Sequence, residues 1–126
     1  MSHFSNLATK ITCKVTLMES LTELGYQVEE AQQVRGYRGQ ETPVELAIRM
    51  REGYDIGFIR NTQGTYDVVA DWFGVKGIAE KSFMSQLQQH YAVKTVMNQI
   101  NQQGYNLVEQ QRDANGAIRI VARRWV

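Results

Sequence analysis

"VELAIRMREGYDIGFIRNTQGTYDVVADW", residues 44–72, alternates apolar and polar side chains three times over. In Val44–Met50 the apolar set is Val44, Leu46, Ile48 and Met50, against Glu45, Ala47 and Arg49. In Tyr54–Arg60, Tyr54, Ile56 and Phe58 oppose Asp55, Gly57 and Ile59. In Thr65–Trp72, Tyr66, Val68, Ala70 and Trp72 oppose Asp67, Val69 and Asp71. Successive side chains leave a pleated strand on opposite sides, so a period of two predicts strands with one buried face. The separators "REG" and "NTQG" are short and contain glycine, as antiparallel hairpins require. The stretch therefore predicts a meander with its even-numbered residues in the core and its other face at least partly wet.

Outward from the meander the period changes. Downstream, Phe83, Leu87 and Tyr91, then Val93, Val96, Met97 and Ile100, trace one face of a helix from about Ile78 to Gln103, which Gly104 ends. Strands Tyr105–Arg112 and Ala117–Trp125 follow, joined through the turn signal "DANG". Upstream, Leu17, Met18, Leu21 and Leu24 predict a short helix over Thr16–Leu24, with Thr16 as N-cap and Gly25 as its left-handed stop. A strand over Thr9–Val15 precedes that helix, and "YQVEEAQQVRGY" reads as one extended strand after it. The order β-α-β-β-β-β-α-β-β implies an α+β fold, residues 1–126 forming one domain. One antiparallel sheet of about six to seven strands carries two helices on one face. Val44, Leu46, Ile48, Ile56, Phe58, Val68, Leu87, Val96 and Ile100 are the expected core. Glu45, Arg49, Asp55, Asp67, Asp71, Arg119 and Arg123 belong to the wet face.

Composition narrows the function classes. At 43% hydrophobic and 21% charged, the 126 residues suit an ordinary globular domain. Fourteen basic and thirteen acidic side chains leave a formal net charge of +1, so any attraction for nucleic acid or membrane is local. One cysteine, Cys13, excludes an internal disulfide and any multi-cysteine metal site. The N-terminus lacks the apolar core of a secretory signal, and no apolar run approaches the length of a membrane span. These features predict a soluble intracellular protein that does not insert into a membrane.

The stretch "VRGYRGQETP" (34–43) is the first candidate site. Arg35 and Arg38 flank Tyr37 between two glycines, a pattern suited to clamping a phosphate, a carboxylate or an acidic partner. The plainer and favoured reading is a bulged strand end in which glycine supplies a positive φ and the arginines lie in water. On that reading, reversing the charge of Arg35 and Arg38 leaves stability within about 1 kcal/mol. Asp55, Asp67 and Asp71 read as solvated ion-pair partners of sheet arginines rather than a Mg²⁺ site or an acid–base pair. Asp71 stands out because it precedes Trp72 and a loop with Gly74 and Gly77. At the C-terminus Arg123 and Trp125 form a second candidate docking edge, with base stacking as its other reading. His3 and His90 lack metal-ligand spacing, and Cys13 has no histidine partner nearby in sequence. Neither a cofactor nor a metal site is expected.

Several stretches together resemble a known family. "MSHFSNL", "GYQVEE" followed by "VRGYRGQ", "GYDIGF" before "YDVVADWFGV", and "QHYAV" leading into "QGYNLVE" and "IRIVARRW" are similar to the hypothetical chloroplast reading frame thirty-five family. That resemblance spans the whole chain and implies a cyanobacterial or plastid origin, with the cyanobacterial cytoplasm or plastid stroma as the compartment. It supplies no activity. The residues themselves predict a small non-catalytic binding or adaptor domain that acts through a protein partner. The alternative is a nucleic-acid or anionic-ligand module using sheet and loop arginines.

Overall fold

The meander forms as an antiparallel ladder in which Leu46 lies opposite Phe58, and Phe58 opposite Val68. A computed structural model describes residues 4–36, 41–104 and 107–123, excluding the side chains of 107–109 and 123. Its strands are β1 (Ser5–Ala8), β2 (Val28–Glu30), β3 (Gln33–Arg35), β4 (Glu41–Pro43), β5 (Leu46–Ile48), β6 (Ile56–Arg60), β7 (Tyr66–Ala70), β8 (Leu107–Arg112) and β9 (Ile118–Arg123). Helix α1 is Lys14–Glu23 and α2 is Glu80–Gln102. The central sheet has five strands in the order β1-β7-β6-β5-β2, all antiparallel. The remaining strands form two separate hairpins, β3–β4 and β8–β9, so the strands are shared among three sheets rather than gathered in one of six or seven.

The class is α+β, with both helices on one face. Leu17 and Leu21 of α1 and Phe83 and Leu87 of α2 share a buried cluster with Leu46, Ile48, Ile56, Phe58, Tyr66, Val68 and Ala70. These are the even-numbered meander residues, as period two requires. Phe83 sits at the centre of the aromatic packing, with ring centroids 5.5 Å from Tyr26, 5.8 Å from Trp72 and 6.4 Å from Phe58. Along α2 the burial is uneven. Phe83 and Leu87 are buried, whereas Ile100 is only half-buried and Val96 is exposed, because this half of the helix lies against the β8–β9 ribbon and not the sheet.

Upstream boundaries differ from the expectation. The first strand is Ser5–Ala8, and residues 9–13 connect it to α1, which Cys13 caps. Within that connection Thr9 donates its hydroxyl to the Tyr66 carbonyl (2.5 Å), and the Ile11 carbonyl accepts from the Tyr66 amide (2.8 Å). Ile11 thereby enters the core without belonging to a strand. Val15, expected to end a strand, is exposed on α1.

The other correction concerns the second face. "YQVEEAQQVRGY" breaks at Ala31–Gln32 into β2 and β3, and the chain before β5 changes partner between Val44 and Glu45. The Val44 amide donates to Gln32 of the hairpin, whereas the Glu45 amide donates to Phe58 of the sheet. Val44 therefore leaves the helix-side core and joins Val34, Ala47 and Val69 in a second cluster, with Phe4, Ala31 and Ile59 against it. The β3–β4 hairpin covers much of the face expected to be wet. Gly57 is the reason it lies close: a Cβ there would stand 2.5 Å from Val44 Cγ1 and 2.8 Å from Val34 Cγ1.

Candidate functional site

Asp55 immediately precedes β6, and parity turns it away from the helices toward the β3–β4 hairpin. It is fully buried, not solvated. Arg35 of β3 forks onto it, with Nη2 donating to Oδ1 (2.8 Å) and Nε to Oδ2 (2.9 Å). The Arg35 amide adds a bond to Oδ2 (3.3 Å), Arg49 Nη1 another (2.9 Å), and the Met50 amide one to Oδ1 (3.1 Å). Arg49 also donates through Nε to Glu29 of β2 (2.8 Å). One carboxylate thus ties β6 to β3 and to the end of β5. Burial pushes the Asp55 carboxyl upward, but the donors from Arg35, Met50 and Arg49 outweigh it and hold its pKa at about 2. Five donors saturate the two oxygens, so this carboxylate is committed to the fold and not poised for proton transfer or metal binding.

Asp71 lies at the same end of the sheet. Ala70 pairs with Ile56 on one side and Ser5 on the other, so the next residue out has Asp55 and Phe4 as its ladder neighbours. Asp71 is 1% exposed, and its Oδ2 has no hydrogen-bond partner among the described residues. The chain then makes a 3₁₀ turn, Trp72–Gly74, that sends consecutive aromatic residues opposite ways. Trp72 packs on Phe83 in the core, its buried Nε1 unpartnered among the described residues, while Phe73 stands 85% exposed. The turn is held on several sides. Gly74 N donates to the Asp71 carbonyl (3.1 Å), Tyr54 N donates to the Gly74 carbonyl (2.9 Å), and Gly53 bridges Val75. The Tyr54 ring lies flat enough on Gly74 that any side chain there would collide with it.

The structure therefore brings Arg35 and Asp71, two residues singled out in the sequence, to one end of the central sheet. It gives Arg35 a buried partner in place of water. Gly36 is not in the left-handed region; its lack of a side chain admits the Phe4 ring, which a Cβ would approach to 2.6 Å. Tyr37, Arg38 and Trp125 lie outside the described residues, and Arg123 is placed only by its backbone, opposite Leu107 in the ribbon. Sequence reasoning missed the burial of Asp55 and of Asp71, both read as solvated, and the exposure of Phe73. The last had a signal: Phe73 falls out of phase with Ala70 and Trp72, just before a glycine. Among the described residues no group of three or more His, Cys, Asp or Glu side chains is placed to hold a metal ion. No described helix is long and apolar enough to cross a membrane.

Residues 20–121 match the family described as "Protein of unknown function (DUF1257)". The chain belongs to that family. Its relatives include proteins named "Uncharacterized protein ycf35" from three organisms. That of Guillardia theta is 32% identical over 127 residues, and that of Cyanophora paradoxa 28% identical over 127 residues. That of Pyropia yezoensis is 28% identical over 130 residues. Each alignment covers 99% of this chain and 98% of the relative. No solved structure matches the chain. The family match runs from within α1 to within β9 and includes Asp55, Asp71 and Phe73, but not β1 or Phe4 at the same end of the sheet.

Proposed function

We propose that this chain is a non-catalytic docking module that binds a protein partner through the end of the central sheet, with Phe73 as the anchor. The observation that carries the reading is an aromatic ring 85% exposed on a turn whose neighbours are fixed from both sides. An exposed ring on a mobile loop loses entropy when it binds, whereas a ring on a braced turn is already oriented. Aromatic anchors of this kind dominate interface energetics.

The sheet arginines support this reading over nucleic-acid binding. Arg35 and Arg49 are committed to Asp55, and Arg60 donates to the carbonyls of Thr12 and Gly64 and to the Tyr66 hydroxyl. Guanidinium groups held by internal acceptors have less to offer a phosphate backbone. The compartment that fits is the plastid stroma, since the relatives come from plastid-bearing organisms, or the cyanobacterial cytoplasm that the sequence resemblance implies. The test is Phe73→Ser. Its stability should stay within about 0.5 kcal/mol of the parent, as for other surface changes. Recovery of a bound protein from native extract, with and without nuclease, should fall strongly for the variant and be unaffected by nuclease. Equal recovery by a folded Phe73→Ser variant, or recovery lost on nuclease treatment, overturns the reading.

A further inference from the structure

We propose that the cleft between α2 and the β1–α1 connection binds a small amphiphilic carboxylate, an apolar chain or ring ending in a single carboxylate group. The cleft measures about 350 Å³ and is lined by Lys10, Ile11, Gln88, Tyr91, Ala92 and Thr95. That volume lies at the lower end of the range for small-molecule sites, which are mostly apolar with a few polar groups fixing orientation. Ile11 is buried at its base. Tyr91 presents its ring, because its hydroxyl is occupied by the amides of Thr12 (3.2 Å) and Cys13 (3.0 Å).

The sign of the ligand follows from the charges at the mouth. Lys10 is the only charged group of the lining, and it makes no ion pair among the described residues, whereas Lys14 and Lys94 are both paired. The same tyrosine hydroxyl fastens Cys13, the residue at the N-cap of α1, and α1 has no acidic residue in its first turn. The positive end of that helix is therefore uncompensated by side-chain charge. A neutral apolar ligand would leave Lys10 unused, and a cation would be repelled. A lone ammonium beside a helix end suits a monoanion; a phosphate is more often met by an arginine fork or several cations.

Sodium octanoate is the probe, with acetate as the anion lacking an apolar body and octylamine as the chain with the opposite charge. The readout is the amide NMR spectrum of the ¹⁵N-labelled full chain. Octanoate should produce saturable shifts confined to residues 10–13 and 88–95, with acetate and octylamine producing none there. Lys10→Gln, an exposed change that leaves the fold intact, should weaken octanoate at least tenfold, and Ala92→Phe should abolish binding by filling the cleft. Absence of saturable shifts at these amides, octylamine binding as tightly as octanoate, or unchanged affinity in Lys10→Gln each overturns the proposal. None of these outcomes bears on Phe73, so the two sites are tested separately.

Discussion

At the scale of single residues, Arg35 shows how exposure misleads. Its side chain is about half exposed, which by itself argues for a small role in folding, yet its partner Asp55 is fully buried. Removing the arginine leaves a buried carboxylate short of its best donor. Arg35→Met should therefore cost about 2–3 kcal/mol, somewhat below the roughly 3–5 of a fully buried pair because Arg49 remains. Denaturant unfolding checks this. A loss under about 0.5 kcal/mol would restore the picture of an arginine in water, and the expectation of a near-neutral charge reversal with it. The same carboxylate predicts a pH dependence. Its folded pKa, about 2, lies below the ordinary 3.8, so the ionised form is favoured by folding. That stabilisation is complete above about pH 5 and is lost as pH falls through 4 toward 2, on the order of 2 kcal/mol in all. The stability gap between the parent and Asp55→Asn should narrow across that window; a constant gap would mean that Asp55 is not the group titrating. An aspartate in an alternating strand reads as wet because polarity is all that the one-dimensional pattern records. Which face is covered depends on a hairpin that packs over it from elsewhere in the chain.

At the scale of elements, the legible parts are those with a sustained period. The meander gave up its helix-side residues from parity, Val44 excepted, and α2 its burial at Phe83 and Leu87. The β3–β4 hairpin was hidden because its strands are three residues each and mostly polar, too short for a period to show. Its cue is Gly57, which reads as a weak point in a central strand until the two valines above it are known. That gives a prediction at this scale. Gly57→Ala places a methyl against Val34 and Val44, and should cost about 1–3 kcal/mol by overpacking. The hairpin should loosen before the sheet does, so amides of Gln33–Arg35 and Glu41–Pro43 should lose protection while Ile56 and Phe58 keep theirs. Gly64, in an open turn with φ of 84°, is the control: substitution there meets no neighbour and acts only through backbone strain. Equal loss of protection in both strands of the pairs β3–β4 and β6–β7 would show that the hairpin and sheet open together.

At the scale of the whole molecule, the central sheet and the β8–β9 ribbon differ in what holds them. Three layers meet at the sheet: the two helices, the strands themselves, and the β3–β4 hairpin on the far side. Among the described residues the ribbon pairs with none of the five strands, and Ile118 and Ile120 are only half-buried. It rests along the second half of α2, where Gln110 reaches Met97, and is tied to the middle of the helix by Gln89 Nε2, which donates to the Gly116 carbonyl (3.0 Å). An isolated two-stranded hairpin is marginal in water, so the ribbon depends on this contact, and this half of α2 carries neither of the helix's buried residues. Stability should therefore be graded along one continuous helix. Native-state hydrogen exchange should find the amides of 83–91 among the slowest, opening only with global unfolding, because Phe83 and Leu87 anchor them in the main core. The amides of 96–102 should exchange together with those of β8 and β9, through a local opening that responds weakly to denaturant because little apolar surface is exposed by it. The helix then breaks its cooperativity near Lys94, whose ion pairs to Glu19 and Glu23 form the last tie between α1 and α2 before the ribbon takes over. Uniform exchange along the whole of α2, with one steep denaturant slope, would instead make ribbon and sheet a single cooperative unit.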